Sequence, residues 1–249
     1  MLLYVCYSCI CSSFNCDNNR DYNYKLFLNS IDYNIKKNEV VNFQMTEKII
    51  ITISGRETSY SSLFSNLKWL EYFKFNSIYA KSMSKIASMA KMFINCTHLK
   101  EIELNFDGVN MFNLSIMNSM FENCASLTKA KISNMDCYKL KSMKCLFKNC
   151  TNLEVVELLN INSQQCENIS EIFSNCGLLK KVKFLCFRAQ NIMNMDQMFW
   201  KCHSLEYLDI SCFNIRKCTS MKFMFFECNR KLKDTFKYRN SPFKAEAFY

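Results

Sequence analysis

Cysteine is the residue whose spacing first suggests chemistry in this sequence. Cys6, Cys9, Cys11 and Cys16 form a C-x-x-C-x-C-x4-C cluster, and clustered thiolates are a zinc donor set. A structural zinc knuckle pairs two clips across a longer loop. This spacing crowds all four, so coincidence or lipidation is favoured over metal. The two histidines, His98 and His203, each follow a cysteine closely, and MFWKCHSLEYLDISCF (Met198 to Phe213) joins Cys, His, Trp and Asp. A nucleophilic Cys–His pair needs a third group to orient the imidazole, and none is evident. A Cys96–His98 metal clip fails because the cysteine should face a core and the histidine the surface. Phosphate-loop, dinucleotide, nucleophile-elbow and H-E-x-x-H motifs do not occur. The expectation is a chain that is not an enzyme, with no cofactor and no metal.

The elements that position these residues are repeats. Anchors recur at Leu63-Phe64 with Leu67, Met92-Phe93 with Cys96, Met120-Phe121 with Cys124, Leu146-Phe147 with Cys150, Ile172-Phe173 with Cys176, Met198-Phe199 with Cys202, and Met224-Phe225 with Cys228. The cysteine steps are 28 and then 26 residues four times over, the signature of a stacked array. Cys96, Cys124, Cys150, Cys176, Cys202 and Cys228 are thus expected to form a structural ladder in the core. In the unit of Cys202, Met195, Met198, Phe199, Cys202 and Leu205 fall at helical spacing. Leu208 and Ile210 then alternate with polar residues, as in a strand with one buried face. The expected fold is an α/β repeat solenoid of about seven turns, with parallel strands on one side and short helices on the other.

Residues 1–46 stand as a non-repeat segment, and 47–62 as a cap strand (Lys48 to Ser54) and linker, expected to pair with the first repeat strand. Residues 63–232 are the solenoid, and 233–249 a basic cap and tail. Cys186 and Cys212 follow successive strands at equivalent positions, within disulfide range if they stack at strand spacing.

The net charge is +10, with 49% hydrophobic residues, which supports a packed chain and excludes bulk disorder. Residues 1–62 are charge-balanced, and the excess lies on the repeats and the last twenty residues. The opening MLLYVCYSCICSSF lacks a basic n-region and a small-residue cleavage site and is too short to span a membrane. An intracellular, monomeric protein without a transmembrane segment is expected, or a cell-surface or secreted one if the reading frame begins further upstream.

The unit MFxxCxxLxxLxLxxF, with its 26-residue step, resembles the repeat of BspA-like leucine-rich-repeat surface proteins over about residues 63–232. The resemblance implies a right-handed leucine-rich-repeat-type solenoid used for adhesion and protein binding, without catalysis. The aspartate-serine that usually follows the strand is present only in part, as Asp209-Ile210-Ser211.

Strand alternation gives the columns on the outer sheet face. One reads Lys74, Glu103, Lys131, Glu157, Lys183, Asp209, alternating in sign, so that each charge faces an opposite one across the strands. That pattern disfavours nucleic acid in the groove, where every second side chain repels phosphate. The flanking columns read Tyr72, Glu101, Lys129, Val155, Lys181, Tyr207 and Asn76, Asn105, Ser133, Leu159, Leu185, Ser211. Val155, Leu159 and Leu185, with Tyr72 and Tyr207 toward the ends, are apolar anchors within a polar rim. The expected function is a scaffold that binds a protein partner through the concave sheet face. Alternatives are a BspA-like adhesin, or a nucleic-acid or anionic-membrane binder using Lys139, Lys141, Lys144, Lys148 and the tail from Arg230 to Lys244.

Overall fold

A computed structural model describes residues 2–6, 23–28, 31–35, 48–54, 59–68, 70–76, 83–237 and 243–249. The repeats form a parallel β-solenoid. Its strands are β5 (Tyr72–Asn76), β6 (Glu101–Asn105), β7 (Lys129–Asp136), β8 (Val155–Asn162), β9 (Lys181–Leu185) and β10 (Tyr207–Leu208). Each pairs in parallel with the next, so the ladder covers about five turns rather than the seven expected from the anchors. The last anchor, Met224-Phe225, leads instead into α1 (Arg230–Lys237).

The expected helices opposite the sheet are absent among the described residues. Each Met-Phe segment is a run of tight turns, and its hydrogen bonds show why. In the central unit, the N–H groups of Cys145, Phe147 and Asn149 donate to Ser170, Ile172 and Ser174 of the next turn at 3.0, 2.8 and 2.9 Å. Cys145 and Asn149 hold left-handed φ of 58° and 61°, which a right-handed helix excludes. A helix this short would carry the full nucleation cost for few internal bonds. Bonding every second N–H to the neighbouring turn satisfies the backbone while stacking the units. Apolar residues still return inward at three- and four-residue spacing.

Before the repeats lie β1 (Leu2–Cys6), β2 (Asn23–Leu28), β3 (Ile31–Ile35) and β4 (Lys48–Ser54). The sheet order is β10-β9-β8-β7-β6-β5-β1-β4-β2-β3. Lys48–Ser54 is a strand as expected, but it does not pair with the first repeat strand. β1 lies between them, antiparallel to β4 and to β5 with Leu3 opposite Phe75 and Tyr4 opposite Lys74.

Three ladders run along the solenoid. Phe64, Phe93, Phe121, Phe147, Phe173, Phe199 and Phe225 stack ring on ring at centroid separations from 5.1 to 5.9 Å. Beside them, each repeat cysteine donates its S–H to the carbonyl of the preceding turn's phenylalanine, Cys150 to Phe121 at 3.1 Å and Cys176 to Phe147 at 3.1 Å among them. That carbonyl also accepts the N–H of the cysteine in its own turn. A small, weakly donating side chain fits this buried place, because the carbonyl of the neighbouring turn is within reach of one extra bond.

The third ladder is asparagine. Asn95, Asn123, Asn149 and Asn175 each donate a side-chain amide N–H to the amide oxygen of the asparagine one turn earlier, at 2.8 to 3.1 Å, beginning at Asn66. All five have φ between 61° and 63°, a region asparagine tolerates. Asn149→Ala is expected to lower stability by about 2 kcal/mol, combining left-handed strain with lost ladder bonds. Asn149→Gly, which relieves the strain alone, should lose less. Urea denaturation of the two variants measures the difference, and equal losses would show that conformation has no part in it.

The basic tail is not loose at its end. Glu246 and Ala247 accept the N–H groups of Phe223 and Phe225 at 2.7 Å each, and Phe248 stacks on Phe225 at 5.5 Å. These contacts repeat the bonds between turns, so Phe243–Tyr249 act as one further partial turn over the end of the stack.

Candidate functional site

The outer sheet face from β7 to β10 carries the surface features best suited to recognition. Inward positions of these strands, such as Ala130, Ile132, Val156, Leu158 and Val182, are buried, which turns the alternate residues outward. Register pairing places Lys129, Val155, Lys181 and Tyr207 in one row. Lys131, Glu157 and Lys183 form the next, and Leu159 and Leu185 the third, which ends at the buried Ser133. Leu185 is 48% exposed and Tyr207 65% exposed, while Val155 and Leu159 are half-buried.

Val155, Leu159, Leu185 and Tyr207 therefore share three adjacent strands. Tyr72 does not join them. It lies on β5, three strands from Val155 or about 14 Å at ordinary strand spacing, half-buried with the Lys100 ammonium 5.8 Å from its ring.

The alternating charge column holds as a register from Lys74 to Lys183. Its ion pairs concentrate at one end, where Glu103 meets Lys74 at 2.6 Å and Lys131 at 3.7 Å. The hydrogen bond from Lys74, aided by both positive charges and opposed by partial burial, holds the Glu103 carboxyl below its ordinary value. Asp209 leaves the column: β10 ends at Leu208, and the Asp209 carboxylate accepts the Ser211 N–H at 2.9 Å in a local turn. That bond holds its pKa down.

The cysteine chemistry suggested by spacing is not assembled. Cys202 points its thiol at Phe173, whereas His203 is exposed with Nδ1 2.8 Å from the Glu227 carbonyl. Cys96 is buried on Phe64 while His98 meets the Thr97 hydroxyl outside. No group of three or more His, Cys, Asp or Glu among the described residues is arranged to hold a metal ion. Cys9, Cys11 and Cys16 lie outside the described residues, and Cys6 ends β1. Cys186 and Cys212 are both free thiols and are not equivalent across the turns. Leu208 pairs with Val182 at a step of 26 residues, but Phe213 bridges Ala189 at a step of 24, so the turn of Cys212 is two residues shorter there.

Burial pushes the ladder thiols up, Cys96 and Cys228 to about 12, and outside the ladder it pushes Cys212 to about 11, which suppresses the reactive thiolate. Of the described cysteines from Cys96 to Cys228, Cys186 alone is exposed. Brief maleimide treatment of native protein, mapped by mass spectrometry, is expected to label Cys186 well ahead of every ladder cysteine. Labelling of Cys150 at a comparable rate would show that the core opens readily.

The lysines opposite the sheet already have partners. Lys141 meets Glu167 at 3.1 Å, Lys144 meets Glu171 at 3.3 Å, and Lys148 also pairs with Glu171. Lys139 donates to the Asn113 amide oxygen at 3.1 Å and lies 4.5 Å over the Phe112 ring. Phe112, which is exposed, in turn stacks on the half-buried Tyr138 at 6.0 Å, an aromatic pair that the repeat pattern does not single out. Within the tail, Lys244 donates to the Thr219 carbonyl at 3.0 Å. No helix among the described residues is long and apolar enough to cross a membrane.

A family model described as "Mycoplasma protein of unknown function, DUF285" matches residues 58–184 and again 167–241, thereby covering the repeats. No curated protein and no solved structure matches the chain.

Proposed function

We propose, from the premise that the chain belongs to this DUF285 family, that it is a non-enzymatic scaffold binding a protein partner through the outer face of β7 to β10. The observation that carries this reading is the exposure of Leu185 and Tyr207 beside the half-buried Val155 and Leu159 on adjacent strands. An isolated exposed leucine has no such meaning. Apolar and aromatic anchors grouped inside a polar frame are how interfaces gain affinity. The ladders let this face vary, since phenylalanine, cysteine and asparagine hold the turns together without using any outward residue of the sheet.

The leucine-rich-repeat-type and BspA-like descriptions remain part of this proposal, and the BspA-like resemblance favours a partner outside the cell. Buried, protonated thiols resist oxidation, so the cysteine content suits an oxidising compartment as well as a reducing one. The paired lysines opposite the sheet weigh against nucleic acid or anionic lipid on that side. The scaffold is proposed to act as a monomer. Parallel capture with wild-type chain and with Leu159→Asp/Leu185→Asp as baits tests the reading. Partners retained by the wild type are expected to fall at least about tenfold on the variant, and equal retention would place binding elsewhere.

A further inference from the structure

We infer that the partner segment recognised by this face is acidic as well as apolar: a short stretch in which aspartate or glutamate alternates with large hydrophobic residues. The inference rests on the proposed protein-binding role of the face and adds the chemistry of its ligand. Although charges alternate along the middle row, the neighbouring rows break the balance. Over the stretch where the three strands run in common register, 129–133, 155–159 and 181–185, the outward positions hold Lys129, Lys131, Lys181 and Lys183 against Glu157, while the exposed Asp136 lies at the far end of β7, where its carboxylate accepts the Asn162 amide N–H at 2.8 Å. On β5 and β6 they hold Lys74 against Glu101 and Glu103. The charge on the face is thus segregated, with the basic half coinciding with the apolar anchors.

The ion pairs sharpen that asymmetry. Glu103 engages Lys74 and Lys131, leaving Lys129, Lys181 and Lys183 without an ion pair to any described residue. Lys129, Lys181 and Lys183 are all exposed. Val155 lies between Lys129 and Lys181 in register, and Leu159 lies beside Leu185, where the pairing of β8 with β9 ends. A ligand that seats apolar side chains on Val155, Leu159 and Leu185 therefore brings its other groups within reach of three ammonium groups. Carboxylates there gain steering and register, while lysine or arginine is repelled. Glu206 and Asp209 beyond β9 mark the acidic limit of the patch, and Asp209 is engaged by Ser211.

Size points to a segment rather than a globular surface. Four strands at about 4.8 Å and five residues at about 3.3 Å span roughly 14 by 13 Å. That footprint of roughly 200 Å² is well under the ~800 Å² a standard interface covers on each partner. Nucleic acid is a poorer fit, because Glu157 occupies the centre of the lysine frame and, of the four anchors, only Tyr207 offers a flat ring for base stacking.

The test uses the full chain as target for a displayed library of random linear dodecapeptides, with a fluorescein-labelled oligothymidylate as a separate probe. Enriched peptides are expected to combine Asp or Glu with Leu, Phe, Trp or Tyr. Their affinity should fall at least about tenfold with Leu159→Asp/Leu185→Asp, and by a similar factor with Lys181→Glu/Lys183→Glu. Lys181→Gln/Lys183→Gln, which adds no repulsion beside Glu157, should give a smaller loss in the same direction, with circular dichroism confirming the fold. Neutral or basic peptides that depend on Leu159 and Leu185 would overturn the acidic assignment and keep the binding face. Peptides indifferent to the leucine pair, or no enrichment at all, would overturn both. Oligothymidylate that binds and competes with the peptides would overturn the assignment in favour of nucleic acid.

Discussion

Phe147→Ala is expected to destabilise the chain by about 3–5 kcal/mol, the range for deleting a large aromatic side chain from a closed core. Phe147 is fully buried and stacks on both sides, at 5.1 Å from Phe121 and 5.7 Å from Phe173. The turns before and after it are held by the same backbone and Asn149 bonds that fix its position, so the cavity cannot close by moving one turn alone. A solenoid's stability is close to a sum of turn and interface terms. Weakening its middle should therefore also split urea unfolding into two steps as the halves lose their coupling. A loss below about 1 kcal/mol in a single unchanged transition would show that the phenylalanine stack is incidental.

The second large effect is expected at the C-terminal end. Phe248→Ala removes the ring covering Phe225 and should cost about 3 kcal/mol. Deleting residues 243–249 goes further, because the N–H groups of Phe223 and Phe225 lose their acceptors in Glu246 and Ala247. An uncovered solenoid end presents both an apolar surface and unpaired backbone donors, and such edges pair with other chains. The truncated protein should associate in a concentration-dependent manner, seen as higher mass in size exclusion with light scattering. A monomer that melts with the full-length chain would mean that this segment is not a cap.

Several features of this architecture are legible in residue spacing. The 26-residue step predicts stacked turns and the strand register, and Lys74 to Lys183 line up as alternation implies. The six repeat cysteines all face the core. The spacing does not distinguish helices from turns, because Met195, Met198, Phe199 and Cys202 produce the same apolar periodicity in a helix and in a chain of tight turns. The distinguishing feature is the residue before the anchor: Asn66 precedes Leu67, and Asn95, Asn123, Asn149 and Asn175 precede four of the six repeat cysteines, because the backbone there is left-handed, as it also is at Lys201 and Glu227 before Cys202 and Cys228. A recurring asparagine at one position of a supposed helix is a sign that the helix is interrupted. The insertion of β1 between β4 and β5 had no local signal, since strand order depends on pairing between distant segments.

The candidate face was legible as columns, and Val155, Leu159, Leu185 and Tyr207 do fall on adjacent strands. Tyr72 shares a row with Val155 and Tyr207 but not their neighbourhood, because row membership does not measure distance across a sheet. The basic frame of Lys129, Lys181 and Lys183 emerges only when the rows are combined and the ion pairs of Glu103 are placed, which requires side-chain geometry.

The central claim, that the β7 to β10 face meets the partner, is tested most directly by photo-crosslinking from a benzophenone amino acid at position 185. The control carries it at position 178, where Leu178 is also exposed but lies in the turn before β9 rather than on the face. Discrete adducts from position 185, lost when Leu159→Asp is added, are the expected result. Adducts from position 178 alone, or from both positions regardless of Leu159, would contradict it.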